Sequence, residues 1–65
     1  MAKQEYVELD LEIMNETDEA LRVTDGDIYC WVAKSKIQNY DEDWTQGQTE
    51  LMVIPIWIAE KEGLI

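Results

Sequence analysis

The amino-terminal part of the chain alternates apolar and acidic side chains. Between Tyr6 and Met14 every second residue is apolar, and the residues between them are acidic. Because successive side chains of a strand point to opposite faces of a sheet, this period of two predicts a half-buried strand. The apolar members, on the face toward the core, are Val7, Leu9, Leu11 and Ile13. The acidic members, on the face toward solvent, are Glu8, Asp10 and Glu12.

Two further strands are predicted at short intervals. Turn-forming residues at positions 15–18 end the first strand, and the stretch from Ala20 to Thr24 has the pattern of a second. Asp25-Gly26 then predicts a tight hairpin of type I′, because glycine accepts the positive φ that this turn requires. The third strand, Asp27 to Ala33, follows directly and is rich in aromatic and β-branched residues.

The last third of the chain predicts a fourth strand and a helix. The strand runs from Thr49 to Ile54 and ends at Pro55, which cannot donate a hydrogen bond to a sheet but suits the first position of a helix. The segment from Ile56 to Glu62 fits a two-turn helix with Gly63 as its carboxyl-terminal cap. We expect the final Leu-Ile pair to fold back and close the core.

Together these elements predict an α+β fold in a single domain, residues 1–65. Between the third and fourth strands, residues 38–48 lack apolar periodicity and are expected to form a loop with room for one helical turn. Strands joined by short turns pair antiparallel, so the first three form a meander, and the fourth is expected to pair with the first. The prediction is a small four-stranded antiparallel sheet, able to curl into a partly open barrel, with a short C-terminal helix.

The net charge of the chain narrows the classes of partner. Fifteen acidic and five basic side chains give a formal net charge of −10, while 46% hydrophobic residues supply material for a small core. Such a field repels nucleic acid and anionic membranes, and it attracts basic protein surfaces or cations. We therefore expect a basic protein as partner, with no direct binding to nucleic acid or membrane.

The residue types that are missing argue against catalysis and against a cofactor. The chain has no histidine, its three glycines form no phosphate-binding loop, and its one cysteine, Cys30, sits among apolar neighbours. We expect Cys30 to be a small buried core residue and the protein not to be an enzyme. A lone cysteine forms no internal disulfide, and the longest apolar run, Leu51 to Ala59, is too short to cross a bilayer, so a cytoplasmic protein is predicted.

Three groups of acidic residues are the candidate partner-binding site. Glu8, Asp10 and Glu12 lie roughly 6.8 Å apart, twice the rise of an antiparallel strand, which approximates the repeat of phosphates along a nucleic-acid strand. The ordinary alternative is the solvated face of a sheet, but such faces mix signs, and only Lys3 and Arg22 are basic in the first 33 residues. The other two groups, at the hairpin tip and in the loop, are Asp25, Asp27, Asp41, Glu42, Asp43 and the adjoining Trp44.

The aromatic residues divide into core candidates and loop candidates. Tyr29, Trp31 and Trp57 lie in predicted elements with apolar neighbours and are expected in the core. Tyr40 and Trp44 lie beside the acidic residues of the loop, where a ring could pack against a partner's arginine or lysine, or could pin the loop. The sequence leaves both alternatives open for this pair.

Several short motifs resemble those of very small acidic proteins encoded by phages and mobile elements. The resemblance covers most of the chain from Glu16 onward, and its motifs are structural and not catalytic. They are Glu16-Thr17-Asp18, Ala20-Leu21, Trp31-Val32-Ala33-Lys34-Ser35, Ile54-Pro55-Ile56-Trp57-Ile58-Ala59 and Gly63-Leu64-Ile65. The role that this resemblance implies is inhibition of host defence, as by anti-CRISPR or anti-restriction proteins that present a DNA-like surface.

The leading hypothesis joins the charge pattern to this resemblance. It is a phage-type inhibitor, an anti-CRISPR of the type I class, that acts as a DNA mimic on a basic DNA-binding surface such as that of a CRISPR effector. The alternative is a small acidic structural, assembly or protein-interaction module of a phage or mobile element, whose acidity serves solubility. A third option is a divalent-cation site at positions 25–27 or 41–43, although the twelve-residue calcium-loop pattern is absent.

Overall fold

A computed structural model describes residues 5–65 as an antiparallel sheet with one short helix. The sheet has four strands in the order β3-β2-β1-β4, which confirms the α+β class, the meander and the pairing of the fourth strand with the first. The elements are β1 (Tyr6–Glu16), β2 (Ala20–Thr24), β3 (Tyr29–Ala33), a single 3₁₀ turn (Lys34–Lys36), β4 (Thr49–Pro55) and α1 (Ile56–Glu62). Within the described residues β3 and β4 do not pair with each other, so the sheet is open and no barrel forms.

The central strand, β1, is longer than its alternating pattern predicted. Its pairing with β2 shifts register between Ile13 and Asn15, which marks a β-bulge, and the strand continues to Glu16. A bulge inserts one extra residue and resets the alternation of faces. The predicted turn at positions 15–18 therefore begins too early, because the period of two ends at the bulge although the pairing does not.

The β2–β3 connection is a four-residue turn and not the predicted type I′ hairpin. Thr24 pairs with Tyr29, so residues 25–28 lie between the strands. A type I′ turn needs positive φ at both central residues, but Gly26, with φ of 107°, is the only residue of this turn with positive φ. The carboxylate of Asp25 closes the turn instead, since its Oδ1 accepts hydrogen bonds from the backbone N–H groups of Asp27 and Ile28.

The core lies between the inner face of the sheet and a layer made of α1 and the long loop. Most inward-facing residues of the four strands are fully or almost fully buried, Val7 and Leu9 of β1 are partly buried against them, and Ile37 of the loop and Ala59 of α1 join the core. The strand members are Leu11, Ile13, Leu21, Val23, Cys30, Val32, Met52 and Ile54. The predicted burial of Cys30 and the inward direction of the apolar residues of β1 are thus confirmed.

The helix ends as its sequence predicted. Gly63 has φ of 82°, and its N–H bonds to the carbonyls of Ala59 and Glu60. Leu64 folds back and is buried, and its N–H bonds to the Ala59 carbonyl at 2.8 Å. Ile65 does not follow it into the core and is 56% exposed, so only the first residue of the final pair closes the fold.

Three aromatic residues expected in the core lie on the surface. Tyr29, Trp31 and Trp57 are each about half exposed, and that prediction is wrong for all three. In β3 the inward positions are taken by Cys30 and Val32. Because all five residues of this strand are apolar, hydrophobic periodicity could not show which of its faces is buried.

The two edges of the sheet differ in how their backbone groups are hydrogen-bonded. Along β4, the loop donates from Gln38 N–H to the Val53 carbonyl at 2.7 Å. The amide side chain of Asn39 continues this pairing, since it accepts from Val53 N–H and donates to the Leu51 carbonyl. The loop thus satisfies part of the β4 edge, as an added strand would.

The β3 edge has no such cover within residues 5–65. Lys34 N–H bonds to the Glu19 carbonyl at 2.8 Å, which continues the β2–β3 ladder by one pair. Because bonded and non-bonded pairs alternate between antiparallel strands, the N–H and C=O groups of Tyr29, Trp31 and Ala33 point away from β2. No backbone group of the described residues outside β2 pairs with them.

Ala33→Pro is expected to raise the free energy of unfolding by about 0.4–1 kcal/mol, because proline restricts the unfolded chain at a site that already fits it. Ala33 has φ of −63° and ψ of 134°, and its N–H lies on the free edge. Ala20→Pro is the matched control, since Ala20 lies directly opposite and its N–H donates to Thr17 Oγ1 at 3.1 Å. Urea unfolding at low protein concentration should show Ala33→Pro stabilised and Ala20→Pro destabilised. Equal losses in both variants would contradict the assignment of the edge.

Candidate functional site

The outer face of the sheet, opposite the helix, carries the acidic residues of β1. We call Glu8, Asp10 and Glu12 the acidic ladder, and all three are exposed. Their neighbours Leu11 and Ile13 are fully buried on the other face. A shift of one residue would bury the carboxylates and expose these side chains, so packing of the core fixes the direction of the ladder.

No cation stands opposite the acidic ladder. The residues directly opposite it on β4 are Val53, Leu51 and Thr49. On the β2 side only Glu12 has a partner, and that partner is Thr24. The only ion pair within residues 5–65 joins Lys34 Nζ to Glu16 Oε2 at 2.6 Å, near the other end of β1. Three like charges therefore stand at two-residue spacing with no counter-charge directly opposite them, and their repulsion opposes folding. The cation of the neighbouring strand β2, Arg22, lies opposite Asn15, beyond the bulge.

The β2–β3 turn places two further carboxylates beside the ladder. Thr24, which precedes Asp25, is directly opposite Glu12, so the turn begins next to the Glu12 end of the ladder. The backbone N–H groups of Ile28 and then Asp27, both 2.9 Å from Asp25 Oδ1, hold the pKa of Asp25 below its ordinary value. Asp25 therefore stays charged into acid, and the turn extends the negative surface of the ladder.

The acidic residues of the loop are set apart from the ladder. They are Asp41, Glu42 and Asp43, and all are exposed. The loop reaches them from Asn39, which bonds to the edge of β4 that faces away from β1. Asp41 Oδ1 accepts from the N–H of Asp43 at 2.9 Å, which tightens the chain here. Because β4 lies between this segment and the ladder, the structure brings together two of the three predicted groups and leaves the third elsewhere.

Tyr40 and Trp44 fasten the loop to the core. Both are half-buried and pack against the core cluster, with ring centroids 5.7 Å apart and planes at 85°. Trp44 N–H bonds to the Asp41 carbonyl, and Lys34 Nζ lies 5.4 Å from the centre of the Tyr40 ring. This packing favours the loop-pinning alternative, and contact of Trp44 with a partner stays a prediction.

Sequence reasoning missed four exposed side chains on the face of the ladder. By strand alternation and pairing they are Tyr6, Tyr29, Trp31 and Leu51. Leu51 is directly opposite Asp10, and Trp31 is directly opposite Arg22. The arginine was the available signal, because a residue paired with a solvent-facing Arg22 shares its face. Exposed aromatic and aliphatic residues beside charges are the composition of a protein-binding surface.

The one thiol of the chain is not a reactive group. Cys30 is buried in β3, and burial is the main cause that raises its pKa, followed by the negative charges of Glu62 and Asp25. A raised pKa keeps the thiol protonated at neutral pH, and the thiolate is the nucleophilic form. Cys30 therefore acts as a small core residue.

Other observations give no direct indication of a ligand or a relative. Within residues 5–65 no group of three or more Asp, Glu, Cys or His side chains is placed to hold a metal ion. The helix in this part of the chain is too short and too polar to span a membrane. Comparison with known proteins finds no match among family models, curated sequences or solved structures. The outer face of the sheet is therefore the feature from which a function can be inferred.

Asp10→Thr is expected to raise the free energy of unfolding by about 0.5 kcal/mol, because it relieves repulsion within the acidic ladder and suits a strand. The electrostatic part of this gain in stability should shrink when salt is raised from about 0.02 M to about 0.5 M, because salt then screens the repulsion in the wild-type protein as well. Glu60→Gln, on the exposed side of α1, is a control that removes one charge away from the ladder. Chemical unfolding at both salt concentrations measures this, and a loss of stability in Asp10→Thr at low salt would show that the ladder is not strained.

Asp25→Asn is expected to make stability less dependent on pH. The folded state lowers the pKa of Asp25 below 3.8, so its stabilising contribution is complete above that value and is lost as the pH falls through the lowered pKa. The variant keeps an Oδ1 acceptor but carries no charge. Unfolding measured from about pH 7 to about pH 3 should show a gap between wild type and variant that closes in acid. A gap of constant size would mean that the turn needs the side chain but not its charge.

Proposed function

We propose that this protein is a non-catalytic inhibitor of phage type that binds a basic DNA-binding surface of a host protein and competes with DNA there. The observation that carries the proposal is the acidic ladder, which presents three exposed carboxylates in a row with no cation directly opposite any of them. Phosphates on a nucleic-acid backbone are recognised as a regular row of negative charges by arginine and lysine. A row of fixed carboxylates offers the same kind of target.

Rigidity supports this role for the ladder. β1 is one of the two inner strands of the sheet: all three ladder residues pair with β4, and Glu12 also pairs with β2. The backbone that carries these carboxylates is thus fixed before binding, so little backbone conformational entropy is lost when a partner contacts them. The turn with Asp25 and Asp27 adds negative charge beside Glu12 and lengthens the surface.

The apolar residues of the same face would supply binding energy that exposed charges lack. Electrostatic attraction between surfaces mainly speeds association and sets orientation, whereas aromatic anchors provide much of the affinity. Tyr29 and Trp31 are about half exposed, and each can stack on the guanidinium or aliphatic stem of a partner's arginine. Within this chain, the Cζ atom of Arg22 lies 5.2 Å from the centre of the Tyr29 ring, which is a contact of this kind.

The choice of host target rests on the short motifs of the chain. Because they resemble those of small acidic phage and mobile-element proteins, we propose the DNA-contacting surface of a type I CRISPR effector, in the bacterial cytoplasm, as the target. Bound there, the ladder and the turn would occupy the positions of phosphates and exclude the duplex by direct competition.

The second candidate function is an assembly or protein-interaction module without DNA mimicry. The exposed side chains of Tyr29, Trp31 and Leu51 favour it, because an apolar interface would need them and would use the acidic residues only for solubility. The two candidates place the binding energy on different residues of one face. Variants of that face therefore separate them.

Reversal of the ladder tests the proposed function. Asp10→Lys/Glu12→Lys is compared with Glu42→Lys/Asp43→Lys, which changes the net charge equally but lies in the separate loop. Each protein is immobilised and exposed to nuclease-treated bacterial lysate, and bound proteins are eluted with a short DNA duplex. We expect the duplex to release DNA-binding proteins, the ladder variant to retain them at least about tenfold less well, and the loop variant to behave as wild type.

A direct competition assay makes the result decisive. Purified type I CRISPR effector is mixed with its target duplex, and wild-type protein is expected to prevent the mobility shift while the ladder variant does not. If the ladder variant still inhibits, DNA mimicry is refuted. If Tyr29→Ser/Trp31→Ser abolishes capture from lysate while the ladder variant keeps it, the module without mimicry is the correct function.

A further inference from the structure

The edge of β3 that faces away from β2 is a second exposed surface, distinct from the acidic ladder. The opposite edge, on β4, is covered in part by Gln38 and Asn39, whereas no backbone group of residues 5–65 outside β2 pairs with β3. β3 itself has no charged residue, and its side chains are apolar. An uncharged open edge is the kind of strand that pairs with another chain.

A groove runs beside this edge, between β3 and α1. Its volume is about 200 Å³, and it is lined on the two sides by Trp31 and Trp57, which are 47% and 51% exposed. Glu62 also lines it, and so do Lys36 and Lys61. They are two of the four basic residues in the described part of the chain, so this groove differs in charge from the acidic ladder and its turn.

We propose that the β3 edge pairs with the β3 edge of a second copy of this chain, antiparallel and across a two-fold axis at Trp31. Trp31 would then lie opposite Trp31 of the second copy, and Tyr29 opposite its Ala33. These are the residues whose N–H and C=O groups point outward, so the pairing would form about six interchain hydrogen bonds. The two sheets become one sheet of eight strands, with both α1 helices on the same side.

Charge complementarity selects a second copy as the occupant. In this register the turn before β3, which carries Asp27, lies beside the 3₁₀ turn that follows β3 in the second copy and carries Lys34 and Lys36. Lys34 is already paired with Glu16, and Asp25 is held by its own turn, so the available pair is Asp27 with Lys36 of the second copy. The two-fold axis forms this contact twice, once at each end of the paired strands.

The high net charge of the chain does not prevent this pairing at physiological salt. In each copy two strand spacings separate β1, with the acidic ladder, from β3, so across the paired β3 strands the two ladders would lie five spacings, or about 24 Å, apart. The Debye length is about 8 Å at 0.15 M ionic strength, so repulsion between the two ladders is largely screened. The pairing would bring the two Trp31 side chains side by side on the outer face and cover part of Trp57 in the groove, which supplies an apolar contribution that screening does not weaken.

Exchange of the charges at Asp27 and Lys36 tests the register, because its expected effects differ from those of a change in net charge alone. The molecular mass of wild type, Asp27→Lys, Lys36→Glu and the double variant is measured by sedimentation over a range of concentrations at 0.15 M salt. We expect a wild-type dimer, roughly tenfold weaker association in each single variant, and recovery in the double variant, which restores both pairs with opposite sign. Asp27→Lys lowers the net negative charge of each copy, so a purely non-specific charge effect would strengthen its association.

Ala33→Pro separates association from folding. It removes an outward-facing N–H from each copy, and it is expected to leave the monomer folded while the dimer dissociates several-fold more readily. A wild-type protein that is monomeric at every concentration would overturn the proposal, as would tighter association of Asp27→Lys or no recovery in the double variant. This pairing does not depend on the proposed function, since the ladder variant Asp10→Lys/Glu12→Lys should dimerise as wild type does.

Discussion

The inner strand β1 is the constraint on which the rest of the molecule depends. It pairs with β4 from Tyr6 to Glu12 and with β2 from Glu12 to Glu16, so within the described residues β4 is joined to the other strands only through β1. Its residues Leu11 and Ile13 are fully buried. Burial of one such side chain contributes about 1.5–3 kcal/mol, whereas a like-charge pair on the other face costs roughly 0.2–1 kcal/mol. Hydrophobic burial therefore decides the orientation of the strand, and the acidic ladder is exposed as its consequence.

A chain of 65 residues can form only a small hydrophobic core, and the long loop adds side chains to it. It buries Ile37, packs Tyr40 and Trp44 against the core, and covers the β4 edge through Asn39. It thus does the work that a fifth strand or a second helix does in a larger domain. Because the loop covers only the β4 edge, the described residues leave the β3 edge open.

The charges of the surface are less uniform than a net charge of −10 suggests. Ladder and turn are negative, while Lys36 and Lys61 line the groove beside β3. Exposed aromatic residues lie between these regions, on the outer face and at its border. A plain coat of charge for solubility would need neither the separation of signs nor the aromatic residues. The candidate site therefore has the composition of a protein-binding face, with charges and exposed apolar side chains together.

The sequence by itself determined the features that depend on local chemistry. The alternation of β1, the bounds of β2, the end of β4 at Pro55 and the cap at Gly63 were all predictable, because side-chain period and backbone preference act within a few residues. The antiparallel order followed from the short connections. Only the tertiary structure decided the bulge, the exposure of Tyr29 and Trp31, and the separation of the loop carboxylates from the ladder. Those depend on register and on which neighbour covers which face, and a strand that is apolar at every position carries no local signal for either choice.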